Sequence, residues 1–200
     1  MHPWRLKPGR LHPLDRPPAD APWNLAELSD LAPVDAVEAA VLVGLVERPQ
    51  GAQLLLTRRT DSLRLHAGQI AFPGGRRDAG DADLVATALR ETEEEVGIEP
   101  ERIEPLGFLD PLLTITGFRV IPVLARLDPG FTLRLQEDEV AEAFEAPLAV
   151  LLDPGRIERV GAVFRGRLRH TWQIRHGGYR IWGATAAIIL NLGRFLEPET

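Results

Sequence analysis

The stretch FPGGRRDAGDADLVATALRETEEEVGI, residues 72–98, decides how the rest of the chain is arranged. It begins with a Pro-Gly-Gly turn and ends at a glycine that would stop a helix. Residues 90–95 read RETEEE, so four of these six side chains are carboxylates and an arginine precedes them. Crowded carboxylates repel one another unless a cation lies among them. The stretch therefore predicts a helix that carries a cation site.

The ends and the buried face of this helix can be predicted from its residues. Asp81 or Asp83 can cap its N-terminus, and Gly97 stops it. At about 100° per residue, the apolar side chains form one broad face that would pack on a sheet. Its members are Leu84, Val85, Ala88, Leu89, Thr92 and Val96.

The carboxylates of the helix are predicted to gather at the rim of that face. Glu91 and Glu95 are four residues apart and are therefore surface neighbours. Glu94 lies one step further round beside Glu91, with Arg90 flanking it, whereas Glu93 points to the far side. Three carboxylates at a rim suit a hard divalent cation, which prefers oxygen ligands and keeps waters for a phosphate substrate. A solvated acidic helix with i,i+4 pairs to arginines is the alternative.

These residues resemble the Nudix box, whose pattern is G-x5-E-x7-R-E-U-x-E-E-x-G-U with U apolar. The tail of the pattern falls on Arg90, Glu91, Thr92, Glu94, Glu95, Gly97 and Ile98. Counting from Gly75, Asp81 stands where the family usually has glutamate, and the spacer that follows has eight residues rather than seven. Thr92, at an apolar position of the pattern, is a milder departure.

The segment upstream resembles the signature of the coenzyme A pyrophosphatase branch of the Nudix hydrolases. The matching residues are LLTRRT at 55–60, Arg64, Gly68 and FPGG at 72–75. Members of that branch also tend to have the Asp-x-x-Asp form, here Asp78 and Asp81, and the longer spacer. The resemblance covers residues 38–125, with a further similarity near Trp182.

The resemblance implies a set of site residues. Mg²⁺ or Mn²⁺ would be held by Glu91 and Glu95, with Glu94 and the backbone carbonyl of Gly75 assisting. Arg90 would orient the carboxylates. Asp78 and Asp81 can tie the loop to the N-terminus of the helix or to Arg90. A structural role is expected for Asp78, whereas for Asp81 both a structural and a functional role stay open.

A second acidic cluster, QEDEV at residues 136–140, lies outside the box. Many Nudix enzymes take an extra metal ligand or a general base from this region, and Glu139 is our candidate, with Glu137 in reserve. The proton of the attacking water would go to Glu94 or to Glu139, a choice that the sequence leaves open. A solvated acidic turn is the alternative.

The substrate implied by the resemblance is coenzyme A or its thioesters, cleaved to 4′-phosphopantetheine, or its acyl form, and adenosine 3′,5′-bisphosphate. Arginine forks bind phosphate bidentately, so Arg59, Arg64 and His66 are candidates for holding the extra 3′-phosphate. Solvated loop charges, or a structural role for His66, are the alternatives. Tyr179 and Trp182 would stack on adenine, with a place in the core as the alternative for Trp182.

Two other functions stay open at this stage. A Nudix hydrolase of ADP-ribose, NADH or another dinucleotide would be indifferent to the 3′-phosphate. A non-catalytic Nudix-like module would bind a nucleotide and regulate a partner, but such modules usually show eroded box carboxylates, which this chain retains.

Composition narrows the class of protein. The chain has 200 residues, a net charge of −6 and no cysteine, which argues against nucleic-acid binding, a polybasic membrane patch, disulfides and thiol catalysis. It has no apolar run of 18 residues and no signal-peptide core, so a cytoplasmic protein is expected. A homodimer is plausible, but no residue pattern indicates one.

The order of elements predicts an α/β fold, a Nudix-type α/β/α sandwich around a mixed sheet. Residues 1–34 form a proline-rich arm, held by Trp4 and Trp23 and with a possible short helix at 25–31, and residues 35–200 form the domain. Strands are expected at 38–48, 53–59, 69–72, 102–109, 118–127, 131–135, 157–169 and 171–175, and residues 179–182 lead into the last helix. Helices are expected at 148–152 and 184–196 besides the box helix.

Overall fold

The structure is a computed structural model that describes residues 4–19, 22–24, 36–62, 66–164 and 166–198. Arg64 and the short helix predicted within residues 25–31 lie outside the described residues. None of the helices in the described ranges is long and apolar enough to cross a membrane.

Strands and helices follow one another in an order close to the predicted one. The strands are β1 (Trp4–Leu6), β2 (Val37–Arg48), β3 (Gly51–Arg59), β4 (Ile70–Ala71), β5 (Gly74–Arg76), β6 (Ile103–Phe108), β7 (Leu112–Leu113), β8 (Phe118–Leu127), β9 (Val140–Pro147), β10 (Ile157–Phe164), β11 (Arg167–His176), β12 (Tyr179–Trp182) and β13 (Leu196–Pro198). The helices are α1 (Leu84–Val96), α2 (Leu148–Leu151) and α3 (Ala184–Phe195), with 3-10 turns at Pro100–Arg102 and Pro154–Arg156.

The long apolar strand β2 lies at the centre of the main sheet, as its near-continuous apolar sequence predicts. It runs parallel to β8 and antiparallel to β3 and β5, so the sheet is mixed. The main path of the sheet is β4-β3-β2-β8-β6, and β9 joins the outer side of β3. Parallel pairing of β2 with β8 requires a crossover, and α1 lies on that crossover.

The two faces of the main sheet are covered by different layers. Side chains that alternate along β2 enter two separate apolar clusters, Ala40 and Leu42 in one and Ala39 and Val43 in the other. Helix α1 packs on the first face, and α3 with the small sheet β10-β11-β12 covers the second. The predicted three-layer α/β arrangement is confirmed.

The predicted strand at residues 131–135 is wrong. These residues form no strand, because their backbone groups bind the end of α1 instead of another strand. The Arg134 N–H donates to the Val96 carbonyl at 2.8 Å, and the Gln136 N–H donates to the Glu95 carbonyl at 3.0 Å. Side chains still alternate between half-buried and exposed, which explains why the pattern resembled a strand.

The boundary predicted between residues 169 and 171 is also wrong. Strands β10 and β11 pair from Ile157–Ile174 to Phe164–Arg167, and the hairpin turns at Gly166, whose φ is 74°. Six strands were not predicted: the short strands β1, β5, β7 and β12, together with β9, which extends the main sheet, and β13, which pairs with β1.

The described part of the N-terminal arm is attached to the domain. Pairing of β1 with β13 fastens its start, and His12 exchanges two backbone hydrogen bonds with Phe108, at 2.9 and 3.0 Å. Trp23 packs against the apolar cluster beneath α3, and the Arg194 guanidinium lies 5.8 Å from its ring. The prediction that Trp23 pins the arm is confirmed.

Candidate functional site

Helix α1 has the predicted ends. Asp83, rather than Asp81, is the N-cap, and its carboxylate accepts a hydrogen bond from the Ala86 N–H at 2.8 Å. Gly97 ends the helix in the left-handed conformation, with φ 71°, and its N–H donates to the Glu93 carbonyl. Leu84, Ala88, Thr92 and Val96 are buried as predicted, whereas Val85 and Leu89 are half-buried.

Asp81 is free for a second purpose because it does not cap the helix. Its two oxygens accept hydrogen bonds from Arg90 Nε and Nη2 at 2.9 and 3.0 Å. Thr87 Oγ1 and the Asp78 N–H each donate to it at 2.9 Å. These bonds, those from Arg90 above all, hold the pKa of Asp81 well below its usual range. The aspartate therefore fastens the loop before the helix to Arg90.

Arg90 uses its remaining donors to position two box carboxylates. Its Nη1 donates to Glu91 Oε1 and to Glu94 Oε2, each at 3.0 Å, and its Nη2 donates to the Arg76 carbonyl at 3.3 Å. The hydrogen bonds to Asp81 raise the already high pKa of Arg90, so the guanidinium stays charged. Arg90, Glu91 and Glu94 are therefore brought together as the sequence predicts.

Glu95 lies deeper than predicted. Its residue surface is only 5% exposed, so it belongs to the buried face of α1 rather than to the rim. Burial raises its pKa to about 8, and the negative charges of Glu91 and Glu139 act in the same direction. The positive charge of Arg59 and a hydrogen bond from the Gly74 backbone oppose this shift without cancelling it.

The two glycines before the helix allow β5 to approach the backbone of β2 and the carboxylate of Glu91 closely. The predicted Pro-Gly-Gly turn is in fact the entry to strand β5, which pairs with β2. Gly74 has φ 150°, and a Cβ there would lie 2.4 Å from the Ala40 carbonyl oxygen. A Cβ on Gly75 would lie 2.5 Å from Glu91 Oε1. The backbone of Gly75 therefore lies close against the Glu91 carboxylate, and burial raises the pKa of Glu91.

Glu139 and the carboxylates of α1 line one open cleft, which has a volume of about 560 Å³. The lining residues are Glu91, Glu93, Glu94, Arg134, Leu135, Gln136 and Glu139. The Thr60 N–H donates to the Glu139 carbonyl at 2.9 Å, and Thr60 Oγ1 donates to the Asp138 carbonyl at 3.1 Å. The loop that carries Glu139 is thus tied to the end of β3 at one side and to the end of α1 at the other.

The predicted substrate residues do not all lie together. Arg59 ends β3 and acts electrostatically on Glu95, so it belongs to the carboxylate cluster. His66 is exposed, has φ 60° and shares a hydrogen bond of 2.9 Å with Gln69 Oε1. Arg64 lies outside the described residues.

The two aromatic candidates for adenine stacking already have protein partners. Tyr179 stacks on Phe144 with ring centroids 4.1 Å apart, and its hydroxyl donates to Glu142. Trp182 lies under the Arg180 guanidinium at 5.1 Å. Tyr179 packs against an apolar core cluster, whereas Trp182, for which a core position was the alternative, is half-buried and is not among the described residues of either cluster.

The donor set suits a hard cation, but its side chains are not yet arranged around one. Glu91, Glu94 and Glu95 offer carboxylate oxygens, and burial beside like charges raises the pKa of Glu91 and Glu95, which a cation would reverse. In the described ranges no three acidic or histidine side chains already converge on one point. Glu91 and Glu94 would have to turn from Arg90 toward Glu95 to form the site.

Comparison with known proteins gives the same family as the box. A family profile described as NUDIX domain matches residues 37–164. Proteins of Salmonella paratyphi B and Salmonella newport described as "Uncharacterized Nudix hydrolase NudL" are each 46% identical over 155 residues, 78% of this chain and 80% of theirs. The crystal structure of the Nudix hydrolase RenU from M. smegmatis shares the fold, with a TM-score of 0.55, 20% identity and coverage of 80% of this chain and 84% of that one.

Proposed function

Because the chain belongs to the Nudix family of hydrolases, which act on nucleoside diphosphate derivatives, we propose that it cleaves the diphosphate bond of coenzyme A or its thioesters. The products are 4′-phosphopantetheine, or its acyl form, and adenosine 3′,5′-bisphosphate. The observation that carries the hydrolase activity is that α1 places Glu91 and Glu94, both hydrogen-bonded to Arg90, within one turn of the buried Glu95.

We assign the cation to Glu91 and Glu95, with Glu94 and the Gly75 carbonyl assisting. Mg²⁺ or Mn²⁺ bound there supplies polarisation of phosphoryl oxygens and a lowered pKa for an attacking water. The protein itself presents these carboxylates from one helix at partly buried positions, and Arg90 positions Glu91 and Glu94 by hydrogen bonds. Gly75 contributes by leaving room for the Glu91 carboxylate.

Glu139 is a better candidate than Glu94 for the general base. Glu94 already accepts a hydrogen bond from Arg90, whereas the Glu139 side chain has no ion pair with any described residue. It also lines the cleft opposite α1. In the proposed step, a water oxygen bonds to one phosphorus of the diphosphate and the water proton goes to Glu139. The bridging P–O bond breaks, and the other half of the substrate leaves as a phosphomonoester.

The choice of coenzyme A rests on the resemblance of residues 55–75 to the coenzyme A branch. The same segment supplies Arg59 at the end of β3, next to the carboxylate cluster, and leads into β5 against α1. Residues 55–75 therefore place an arginine beside the proposed cation site, where it suits a substrate with a third phosphate in addition to its diphosphate.

The test is product release, followed by chromatography, from coenzyme A, dephospho-coenzyme A, ADP-ribose, NADH and diadenosine polyphosphates, each with Mg²⁺ and with Mn²⁺. We expect coenzyme A to be cleaved fastest and to give adenosine 3′,5′-bisphosphate. Faster cleavage of another member would keep the hydrolase and overturn the substrate. No cleavage of any member would overturn catalysis itself and favour nucleotide binding.

A further inference from the structure

The described lining of the cleft beside α1 contains one positively charged side chain, that of Arg134. Glutamates make up most of the polar lining, and Arg134 is the only lysine, arginine or histidine among the seven lining residues. A phosphate-bearing substrate entering this cleft meets a strongly negative surface. A bound cation offsets the charge on the α1 side, but the opposite wall needs a positive group of its own.

The position of Arg134 is fixed by its backbone. Its N–H donates to the Val96 carbonyl at 2.8 Å, so the residue is hydrogen-bonded to the last turn of α1. The contact is close: a Cβ on Gly97 would lie 2.8 Å from the Arg134 Cβ and 3.0 Å from its carbonyl oxygen. Arg134 is therefore held at a constant distance from the helix that carries the box carboxylates.

The guanidinium of Arg134 is uncommitted, in contrast to that of Arg90. Arg90 donates to Asp81, Glu91, Glu94 and the Arg76 carbonyl, which uses all of its nitrogens. Arg134 has no side-chain hydrogen bond or ion pair with any residue that the structure describes, although glutamates line the same cleft. Arg134 is exposed, and the five N–H donors of its guanidinium are available to a ligand.

We infer that Arg134 is a substrate-binding residue that holds a phosphate group of the nucleotide substrate on the wall of the cleft formed by residues 134–139. The inference rests on the proposed function and extends it to a residue outside both sequence motifs. Arginine suits this role because its planar fork gives two parallel hydrogen bonds to phosphate oxygens, and it keeps its charge at every working pH.

The test compares the kinetics of Arg134→Gln and Arg134→Lys with those of the wild-type protein. We expect KM to rise about tenfold in Arg134→Gln with kcat within about twofold, because ground-state and transition-state binding are lost equally. Arg134→Lys should restore part of the loss, since it keeps the charge without the fork. Arg156→Gln removes an exposed arginine elsewhere and serves as the matched control.

Two readouts locate the contact. A KM increase for coenzyme A but not for dephospho-coenzyme A assigns Arg134 to the 3′-phosphate, and an increase for both assigns it to the diphosphate. An unchanged KM for both, in a wild-type protein that cleaves them, overturns the inference and leaves the proposed function intact. If Arg134 only screens the glutamates, Arg134→Gln would tighten Mn²⁺ binding and leave KM unchanged.

Failure of the proposed function gives a different result. If the wild-type protein cleaves none of the substrates, titration calorimetry with ADP in the presence of Mg²⁺ replaces the kinetic measurement. A Kd that weakens about tenfold in Arg134→Gln and not in Arg156→Gln supports the inference even then. An equal Kd in the three proteins overturns it.

Discussion

Asp81 and Glu95 are two carboxylates withdrawn from solvent, the first in a half-buried residue and the second in a buried one, and their pKa values move in opposite directions. The Asp81 side chain is 6% exposed and the Glu95 residue 5%. Asp81 accepts hydrogen bonds from Arg90, Thr87 and the Asp78 backbone, and its pKa falls. Glu95 has only a backbone hydrogen bond from Gly74 and the positive charge of Arg59 to oppose its burial, and its pKa rises to about 8.

The difference separates a structural carboxylate from one that is available to a ligand. Burial disfavours the charged form of both groups, and the number of donors decides whether that cost is offset. Asp81 is fully satisfied within the protein, so a cation would gain little there. Glu95 is buried without enough donors, and a divalent cation is the partner that would complete it.

The largest effect that would sharpen this contrast is loss of turnover in Glu95→Gln. Removing the charge while keeping the shape should lower kcat about 1,000-fold, because the cation loses its most buried ligand. At pH 8 the melting temperature of the metal-free variant should equal or exceed that of wild type, since an ionisable carboxyl with an unfavourably raised pKa is gone. Kinetics and calorimetry on the same samples check both parts, and near-normal turnover would show that Glu95 is not a ligand.

Asp81→Asn should act mainly on stability. The substitution leaves the Arg90 charge without its bidentate partner, so we expect the melting temperature to fall by about 5–10 °C. Asp83→Ala, which removes only the helix cap, is the matched control and should cost less. A melting temperature like that of wild type would mean that the Arg90–Asp81 pair is dispensable.

The two carboxylates should also differ in how they link stability to pH. The pKa of Glu95 rises from 4.5 to about 8 in the folded protein, so its contribution is complete below pH 4.5 and is lost as pH rises toward 8. The lowered pKa of Asp81 gives the opposite sign: its contribution is present at neutral pH and is lost in acid, below about pH 4. Urea unfolding of the metal-free protein from pH 3 to 9 checks both.

Glu95→Gln separates these contributions. In this variant the fall in stability between pH 4.5 and 8 should become shallower, leaving the part contributed by Glu91, while the acid limb remains. An identical pH profile in wild type and variant would mean that Glu95 does not titrate in that range.

A smaller effect is expected from Thr60, which fastens the Glu139 loop. Thr60→Val removes the hydroxyl that donates to the Asp138 carbonyl but keeps the volume, so kcat should fall about tenfold while KM stays close to normal. Thr60→Ser should restore most of the rate, because it returns the hydroxyl. Equal rates in all three proteins would remove Glu139 from the reaction or show that its loop needs no such support.

The helix and its carboxylates were predictable because their arrangement is local. Spacing along the chain fixes the positions of Arg90, Glu91 and Glu94, and the capping residues fix the ends of α1. The depth of Glu95 was not predictable, because helix geometry gives an angle around the axis and not the distance to β2 and β5.

The second wall of the cleft was mispredicted for a similar reason. Residues 131–135 alternate as a strand would, and the sequence cannot show that their hydrogen-bond acceptors are the Glu95 and Val96 carbonyls. Arg134 was overlooked as a result, because a strand residue far from the box gave no signal of a shared cleft. Glu139 was proposed from its acidic neighbours, a pattern that Arg134 lacks.

The most direct measurement is titration of Mn²⁺ into the wild-type protein, Glu95→Gln and Asp81→Asn by calorimetry at pH 8. We expect Glu95→Gln to weaken Mn²⁺ binding about 100-fold, and folded Asp81→Asn to bind with an affinity within about tenfold of wild type. If Glu95→Gln binds Mn²⁺ as the wild-type protein does, Glu95 is not the carboxylate kept for the cation, and the assignment of the metal site is wrong.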